Sequence, residues 1–236
     1  MHPSVGGGWG SDMSRPNVPR ITRQAAIEAA LHSIDEMGLD NFSLTLVAQQ
    51  LGVVAPSLYH HFRDKDEVLA EVARLILLQG EKSPEPGDKG WREAMLDLCL
   101  SVRRSILRHP KAAPLLLLYP PRHLALRSHE RFLLLLAHKG VPRELHNTII
   151  SGLDSIVFGS ALLLASTQAA GIERFPKFNP VDYPALTDAM AANRLDDESM
   201  FVRVTCTFLD GIVWIAGEDR RSESQRPEEA RPHRVA

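Results

Sequence analysis

The chain has 236 residues, of which 44% are apolar and 24% are charged, a size and composition that suit one or two globular domains with a core of their own. Its formal net charge of -2 provides no overall attraction to nucleic acids or anionic lipids. Aromatic residues make up only 6%, which argues against a carbohydrate-binding surface. Cys99 and Cys206 lie far apart without the spacing of a disulfide framework or a zinc ribbon, so we expect a reducing, cytoplasmic compartment.

Both ends of the sequence lack a core-forming pattern. Residues 1–19 are rich in Gly and Pro and have no apolar stretch of the signal-peptide kind, which predicts a disordered leader. Residues 218–236 are charged and predict a disordered tail. The longest apolar run, residues 156–165, is about half of the ~20 residues that a membrane span requires. We therefore expect a buried helix there and no contact with a membrane.

Between these ends, helical patterns alternate with Gly and Pro, and no alternating run indicates a strand, so the sequence predicts an all-α fold. The first helix is expected to begin after Thr22 as N-cap and to end at Gly38. A short second helix begins at Ser43 and ends at Gly52. Together with the two helices that follow, this predicts an N-terminal module of residues 20–80.

The third and fourth helices of the module are marked by their first residues. Proline is tolerated in a first helical turn, so Pro56 is expected to open a short helix over residues 56–62. Asp64 and Glu67 have the spacing of a capping box and predict a fourth helix that ends near Gln79.

A short break rich in Pro, Gly and charge, residues 83–90, separates the module from a larger helical domain, residues 81–217. Its predicted helices cover residues 91–108, 111–119, 122–139, 143–169, 183–193 and 198–216.

Residues 43–65 read SLTLVAQQLGVVAPSLYHHFRDK. Two short helices joined by a turn of three to four residues form a helix-turn-helix, which places its second helix in the major groove of DNA. Ala48 is small enough for the two helices to cross closely, Gly52 permits a positive φ in the turn, and Val53 and Leu58 supply the apolar contacts between them. The pattern therefore predicts a DNA-binding unit.

These residues also resemble a known family. Ala48, the run Leu51-Gly52-Val53, Leu58-Tyr59, His61-Phe62, Lys65 and Leu69 are similar to the signature of the TetR family of transcriptional repressors, and the resemblance covers about residues 22–69. A weaker resemblance to the tetracycline-repressor C-terminal domain extends over the rest of the chain. The resemblance implies a homodimeric repressor that binds a palindromic operator in double-stranded DNA and is released by a small-molecule effector.

The same resemblance implies the roles of individual residues. Bases or backbone are expected to be contacted by Thr45, and base edges by Ala55, Pro56 and Ser57. Phosphates are expected to be bound by Ser43, Tyr59, His60, His61 and Lys65, with further backbone contacts from Arg15, Arg20 and Arg23. One departure concerns Val54, which stands where the family usually has a capping residue. Because valine cannot accept the backbone hydrogen bond, about 1 kcal/mol of helix stabilisation is lost there.

The resemblance also implies that the larger domain, residues 81–217, binds a ligand and dimerises, and that it holds a cavity lined by its middle helices. A mainly apolar molecule is the expected ligand. The candidate ligand-binding residues are Met95, Arg104, His109, Leu116, Tyr119, Phe132 and Phe158.

Dimerisation is expected through two helices, because the segment around residues 156–165 is apolar nearly all round and must bury two faces. The candidate interface residues are Ile156, Gly159, Leu162, Phe208, Ile212 and Ile215.

Other chemistry finds no support in the sequence. His129-Glu130 begins like a zinc-binding HExxH motif, but Leu133 occupies the position of the second histidine. No nucleophile elbow, catalytic constellation or metal site is apparent, so we expect no enzyme activity and no cofactor. An all-α enzyme, or a ligand-binding dimer without specific DNA binding, remains the alternative. The balance of six basic and nine acidic residues in residues 1–80, a net charge of -3, is the main support for it.

Overall fold

A computed structural model describes residues 21–80 and 89–224, with side chains up to residue 214. Within these ranges every regular element is a helix, as the sequence predicts. The α-helices are α1 Arg23–Met37, α2 Leu44–Gln50, α3 Lys65–Gly80, α4 Trp91–Leu107, α5 Leu115–Leu118, α6 Arg122–His138, α7 Arg143–Ala170, α8 Pro184–Ala192 and α9 Asp197–Ser224. Two short 3₁₀ helices cover Leu39–Asn41 and Ala55–His60.

The first helix begins and ends where the sequence predicts. The Thr22 hydroxyl accepts a hydrogen bond from the Ala25 amide at 3.1 Å, which satisfies one of the unpaired donors of the first turn. Gly38 has a φ of 82° and its amide donates to the Ile34 carbonyl at 2.8 Å. Glycine, which has no Cβ, tolerates this backbone conformation best, so Gly38 ends α1 at a defined residue.

One apolar core joins the N-terminal module to the larger domain. Ala30 and Ile34 of α1 pack with Val72 and Ile76 of α3, and the same cluster continues into the second domain. Its members beyond the module are Ile106, Ala112, Ala113, Leu115, Leu116, Leu124, Ala161 and Ala165. The two predicted domains are therefore in direct apolar contact, and a movement in one can displace the other.

A second core lies within the larger domain and joins α4, α7 and α9. Met95 and Cys99 of α4 pack against Leu153 of α7 and against Phe201 and Leu209 of α9. Burial of these side chains stabilises each protomer by roughly 1.5–3 kcal/mol per large apolar residue. α4, α6 and α7 each contribute residues to both cores.

Three predicted elements differ in the structure. The third helix is a 3₁₀ helix at Ala55–His60 rather than an α-helix over residues 56–62. The helix predicted over residues 111–119 is reduced to α5. Residues 110–114 form turns instead, and Pro114 has no amide hydrogen with which to continue a helix. The last helix runs past the predicted end at residue 216 and reaches Ser224, inside the predicted tail. The predicted leader, the linker at residues 81–88 and residues 225–236 lie outside the described residues.

α7 is also long and apolar enough to cross a membrane when judged by length and composition alone, with a mean hydropathy of 1.8 over its most apolar window. A core helix of a soluble protein meets the same criteria. In this fold α7 packs against α4 and α9 through Ile149, Leu153 and Val157. Only 33% of that window is buried, so the helix predicted to be buried packs along one face in the protomer.

Replacing Gly80 with alanine is expected to lower the free energy of unfolding by about 1–3 kcal/mol, the usual cost of overpacking. A Cβ atom at this position would lie 2.7 Å from the Val102 Cα and 3.2 Å from the Ser101 carbonyl oxygen. These are backbone atoms of α4, so the helix itself must shift. Urea denaturation of the two proteins measures the change. An unaltered unfolding midpoint would contradict the close approach of α3 and α4.

Candidate functional site

The helix-turn-helix forms as the sequence predicts. The Ser43 hydroxyl accepts from the Leu46 amide at 3.3 Å and caps α2. In the turn, Gly52 has a φ of 68°, and the Val53 amide donates to the Ala48 carbonyl at 2.9 Å. This pair of features ends α2 in a Schellman-like turn. The chain thereby reverses over a few residues, and the 3₁₀ helix Ala55–His60 lies at the surface.

The start of the 3₁₀ helix has no side-chain cap. Val54 makes no capping hydrogen bond, as expected from its side chain, and the first contact is the Ser57 amide donating to the Val54 carbonyl at 2.9 Å. Leu58 and Phe62 anchor the segment in the core with 1% and 2% of their surface exposed. The segment is therefore fixed by its apolar side rather than by its cap.

Apart from Arg15, Arg20 and Arg23, the predicted DNA-binding residues lie on or beside this unit, and none of them is buried. Thr45, Pro56, Tyr59, His60 and Lys65 are exposed. Half-buried positions are occupied by Ser43, Ala55, Ser57 and His61. Tyr59 is 57% exposed, so its phenol ring is available to a partner.

Lys65 has a structural contact that the sequence did not indicate. Its ammonium group donates to the Phe42 carbonyl at 2.9 Å and lies 5.2 Å from the centre of the Phe42 ring. This contact ties the first residue of α3 to the segment that precedes α2. An ammonium group has three donors, so two remain for a phosphate.

Arg23 holds the end of the 3₁₀ helix and was expected, from sequence, to contact DNA. Its guanidinium donates to the His61 carbonyl, and to Glu67 at 2.7 Å and Glu71 at 3.2 Å. It also lies 4.4 Å over the Phe62 ring. The Arg23 guanidinium is therefore occupied by contacts within the protein. Arg15 and Arg20 lie outside the described residues. The spacing of Glu67 and Glu71, four residues apart on one helix face, is the sequence signal for such a basic partner.

Glu67 gives the module a specific acid sensitivity. The Arg63 amide and the Arg23 guanidinium donate hydrogen bonds that lower the pKa of its carboxyl to about 2. A carboxyl whose pKa is lowered in the folded state stabilises the fold above its unfolded value, near 4.5, and loses that contribution as pH falls towards 2. We expect Glu67→Gln to lower the melting temperature at pH 7 and the difference from wild type to shrink below pH 4.5. Thermal unfolding between pH 7 and 3 measures it. A difference that is constant across this range would contradict the assignment.

An apolar cavity of about 120 Å³, partly open to solvent, lies among α3, α4, α6 and α7. This is close to the size of a cavity that holds one small aromatic ring. Three predicted ligand-binding residues, Met95, Phe132 and Phe158, line it.

The polar part of the cavity was missed in the sequence. His129 Nε2 and Asp154 Oδ2 are 3.0 Å apart, and both residues line the cavity together with Ser128. Burial raises the pKa of the Asp154 carboxyl, and the nearby imidazole partly opposes this shift. Burial, with a smaller effect of the Asp154 charge, raises the pKa of the Cys99 thiol to about 12, so it is a neutral part of the wall. A lone acid just before a long apolar run was the available signal.

The other four predicted ligand-binding residues do not reach this cavity. Arg104 pairs with Glu198 at 2.8 Å, and Leu116 is buried in the core shared with the N-terminal module. His109 contacts Asp35 at 2.7 Å and Gln79 at 3.3 Å. The Tyr119 hydroxyl donates to Asp66 at 2.8 Å. His109 and Tyr119 thus bridge to the N-terminal module instead of facing the cavity.

The predicted dimer residues are divided between the inside and the surface of the protomer. Ile212 is only 5% exposed and belongs to the second core. Phe208 occupies the space where a Cβ on Gly152 would be, 2.1 Å from its ring. Both are therefore internal contacts, because α9 turns this stripe towards α7. Gly159 is exposed, Ile156 and Leu162 are half-buried, and the side chain of Ile215 lies outside the described residues.

Apolar side chains on the opposite faces of the same two helices remain exposed. They are Leu163 on α7 and Val204, Val213 and Trp214 on α9, with exposures of 52%, 45%, 39% and 64%.

In the described part of the chain, no cluster of three metal-ligating side chains is present.

Comparison with known proteins agrees with these features. Residues 26–72 match the family described as "Bacterial regulatory proteins, tetR family", and residues 83–214 match "Tetracyclin repressor-like, C-terminal domain". An HTH-type transcriptional regulator of Saccharopolyspora erythraea is 29% identical over 210 residues, 84% of this chain and 87% of that protein. The class D tetracycline repressor protein of Escherichia coli is 30% identical over 113 residues, 48% of this chain and 49% of that protein. The chain thus spans about half the length of that curated repressor.

Solved structures support the same conclusion. ActR from Streptomyces coelicolor is 27% identical with a TM-score of 0.64, covering 85% of this chain and 98% of that one. ActR in complex with actinorhodin has a TM-score of 0.62 at 26% identity, covering 84% and 99%. The two family matches together cover most of the chain, and the helix-turn-helix they predict is present in the fold. The chain therefore belongs to the TetR family of bacterial regulatory proteins.

Proposed function

We propose that this protein is a cytoplasmic, ligand-responsive transcriptional regulator, a homodimer that represses by binding a palindromic operator and is released by a small, mainly apolar effector. The observation that carries the proposal is the single apolar core that joins a helix-turn-helix to a domain with a cavity. ActR in complex with actinorhodin is a relative with a small molecule bound, and an HTH-type repressor of Streptomyces coeruleorubidus, DrrR1, is 32% identical over 97 residues.

DNA binding is supported by the outer surface of the helix-turn-helix. Exposed Pro56 and half-buried Ala55 offer only apolar contacts, such as those with a thymine methyl group, whereas the Ser57 hydroxyl can bond several bases. Tyr59, His60 and Lys65 add donors that suit phosphates. The specificity is therefore expected to come from few base contacts and from operator symmetry.

Dimerisation is supported by the exposed apolar side chains of α7 and α9. Leu163 on α7 and Val204 and Trp214 on α9 are exposed. Gly159 is also exposed, and an added Cβ there meets no atom within 4 Å, so a helix of a second protomer has room to approach. A two-fold pairing of these faces would set the distance between two recognition helices.

Coupling between the cavity and DNA is supported by polar contacts at the junction of the two domains. His109 contacts Asp35 of α1, Lys111 donates to the Glu36 carbonyl at 2.7 Å, and Tyr119 donates to Asp66 of α3. Displacement of the segment between α4 and α6 would pull on both α1 and α3. To release DNA, the effector must prefer the non-binding form; a hundredfold preference is about 2.7 kcal/mol per site.

Selection of bound duplexes from random DNA at two salt concentrations tests the proposal. The expected result is an enriched palindrome whose binding weakens with salt, as phosphate contacts require. Sedimentation of the protein with and without the palindrome should show a dimer on DNA. Binding without sequence enrichment, in the presence and absence of cell extract metabolites, would favour the alternative, a ligand-binding or enzymatic dimer without specific DNA binding.

A further inference from the structure

We infer that the ligand of the cavity is a lipophilic amine, a molecule with an aromatic or aliphatic body and one protonated nitrogen that pairs with Asp154. This inference deepens the proposed function and rests on it for its biological meaning. The binding chemistry itself depends only on the cavity.

The cavity walls determine the body of the ligand. Met95, Leu98, Phe132, Val157 and Phe158 present thioether, aliphatic and aromatic surfaces. Burying the apolar area of a ligand against such walls stabilises the complex. The cavity of about 120 Å³, which is partly open to solvent, has room for a small ring system.

Charge in the lining is confined to one place. Among the described residues that line the cavity, Asp154 on α7 is the carboxyl and His129 on α6 is the imidazole, and they contact each other at 3.0 Å. The Asp154 side chain is 45% exposed, so part of its carboxylate is reached from outside the contact. Asp154 and Cys99 both line the cavity, and the Asp154 charge contributes to the raised pKa of the Cys99 thiol.

The chemistry of a carboxylate then selects the polar group of the ligand. A carboxylate only accepts hydrogen bonds and has about four lone-pair sites. The imidazole of His129 pairs with one oxygen. A purely apolar ligand would shield the carboxylate from solvent, and an ionised group left without compensation is costly. A protonated amine restores both the charge balance and the donors, whereas a carboxylic acid would place like charges together.

His129 is a positioning residue in this arrangement. Its contact with Oδ2 fixes the orientation of the carboxyl and leaves Oδ1 for the ligand. Ser128 lines the same wall, but its hydroxyl donates to the Leu124 carbonyl at 3.1 Å. The His129–Asp154 pair is therefore the recognition point in an otherwise apolar site.

Three matched fluorescent probes test the inference: naphthalen-2-ylmethylamine, naphthalen-2-ylmethanol and naphthalene-2-carboxylic acid. They share one apolar body and differ in a single group. Fluorescence titration of the full chain at pH 7 is expected to show the amine binding at least tenfold more tightly than the alcohol and the acid most weakly. Equal affinities, a preference for the acid, or no binding of any probe would overturn the inference.

Two variants assign the preference to Asp154. In Asp154→Asn the amine is expected to lose its tenfold advantage while the affinity for the alcohol stays unchanged; Asp188→Asn, an exposed acid on α8, should behave as wild type. Retention of the amine preference in Asp154→Asn contradicts the assignment, and if that variant does not fold, the comparison of probes on the wild type decides. Operator binding is measured on the same preparations. DNA binding without amine preference rejects this inference alone, and amine preference without DNA binding rejects the proposed function alone.

Discussion

Replacing Tyr59 with alanine is expected to weaken binding to the operator and to unrelated DNA by a similar factor, between about tenfold and a hundredfold for each protomer. A hydrogen bond to a charged group contributes about 1.5–3 kcal/mol, and a phosphate contact carries no sequence information. Tyr59 is 57% exposed, so the fold should be unaffected, since exposed substitutions usually change stability by less than ~0.5 kcal/mol. Fluorescence anisotropy with labelled duplexes measures both affinities.

Tyr183 provides the matched control for Tyr59. It has a similar exposure of 54% but lies at the start of α8, away from the helix-turn-helix. Tyr183→Ala should leave DNA binding unchanged, and Tyr59→Phe should show how much of the loss belongs to the hydroxyl group. If Tyr59→Ala binds the operator as tightly as wild type, the residue has no phosphate role. A loss confined to the operator would instead indicate a base contact.

Replacing Asp197 with alanine is expected to lower the free energy of unfolding by about 2–3 kcal/mol. Its carboxylate pairs with Arg103, a guanidinium of which only 2% is exposed and which also lies 4.9 Å from the Phe201 ring. Removing one partner of a buried pair costs about 3–5 kcal/mol because the other charge is left uncompensated. The expected loss of unfolding free energy is smaller here because the Asp197 side chain is 56% exposed and water can reach the vacated site. Urea denaturation with an unchanged m value measures the effect.

The adjacent residue supplies the control. Glu198 is in the same first turn of α9 and pairs with Arg104, but both side chains are about half exposed, at 45% and 57%. Glu198→Ala should cost less than ~1 kcal/mol, as surface pairs do. Arg103→Met should also cost less than Asp197→Ala, because a hydrocarbon chain needs no partner. Equal losses at Asp197 and Glu198 would show that burial of Arg103 is energetically unimportant.

Local signals in the sequence determined most of the N-terminal module. The caps at Thr22 and Ser43 and the positive φ at Gly38 and Gly52 depend on residues within a few positions of each other. The family resemblance depends on the same local run. The missing cap at Val54 was also predictable, because it follows from one side chain. What these local rules did not contain was the conformation of the segment after it, a 3₁₀ helix held by the burial of Leu58 and Phe62.

Tertiary structure decided the direction of each helix face and the partners of each charge. Periodicity marks α9 as amphipathic, but the stripe with Phe208 and Ile212 faces its own protomer, so the exposed face is a different one. His109 and Tyr119 are polar residues in an apolar domain, and only the fold shows that they reach Asp35 and Asp66 rather than the cavity. The His129–Asp154 pair joins residues on two helices, a contact that no spacing in the sequence encodes. Long-range pairing depends on how the helices pack, and therefore the sequence by itself determined the elements and the family, while the fold determined the chemistry of the site.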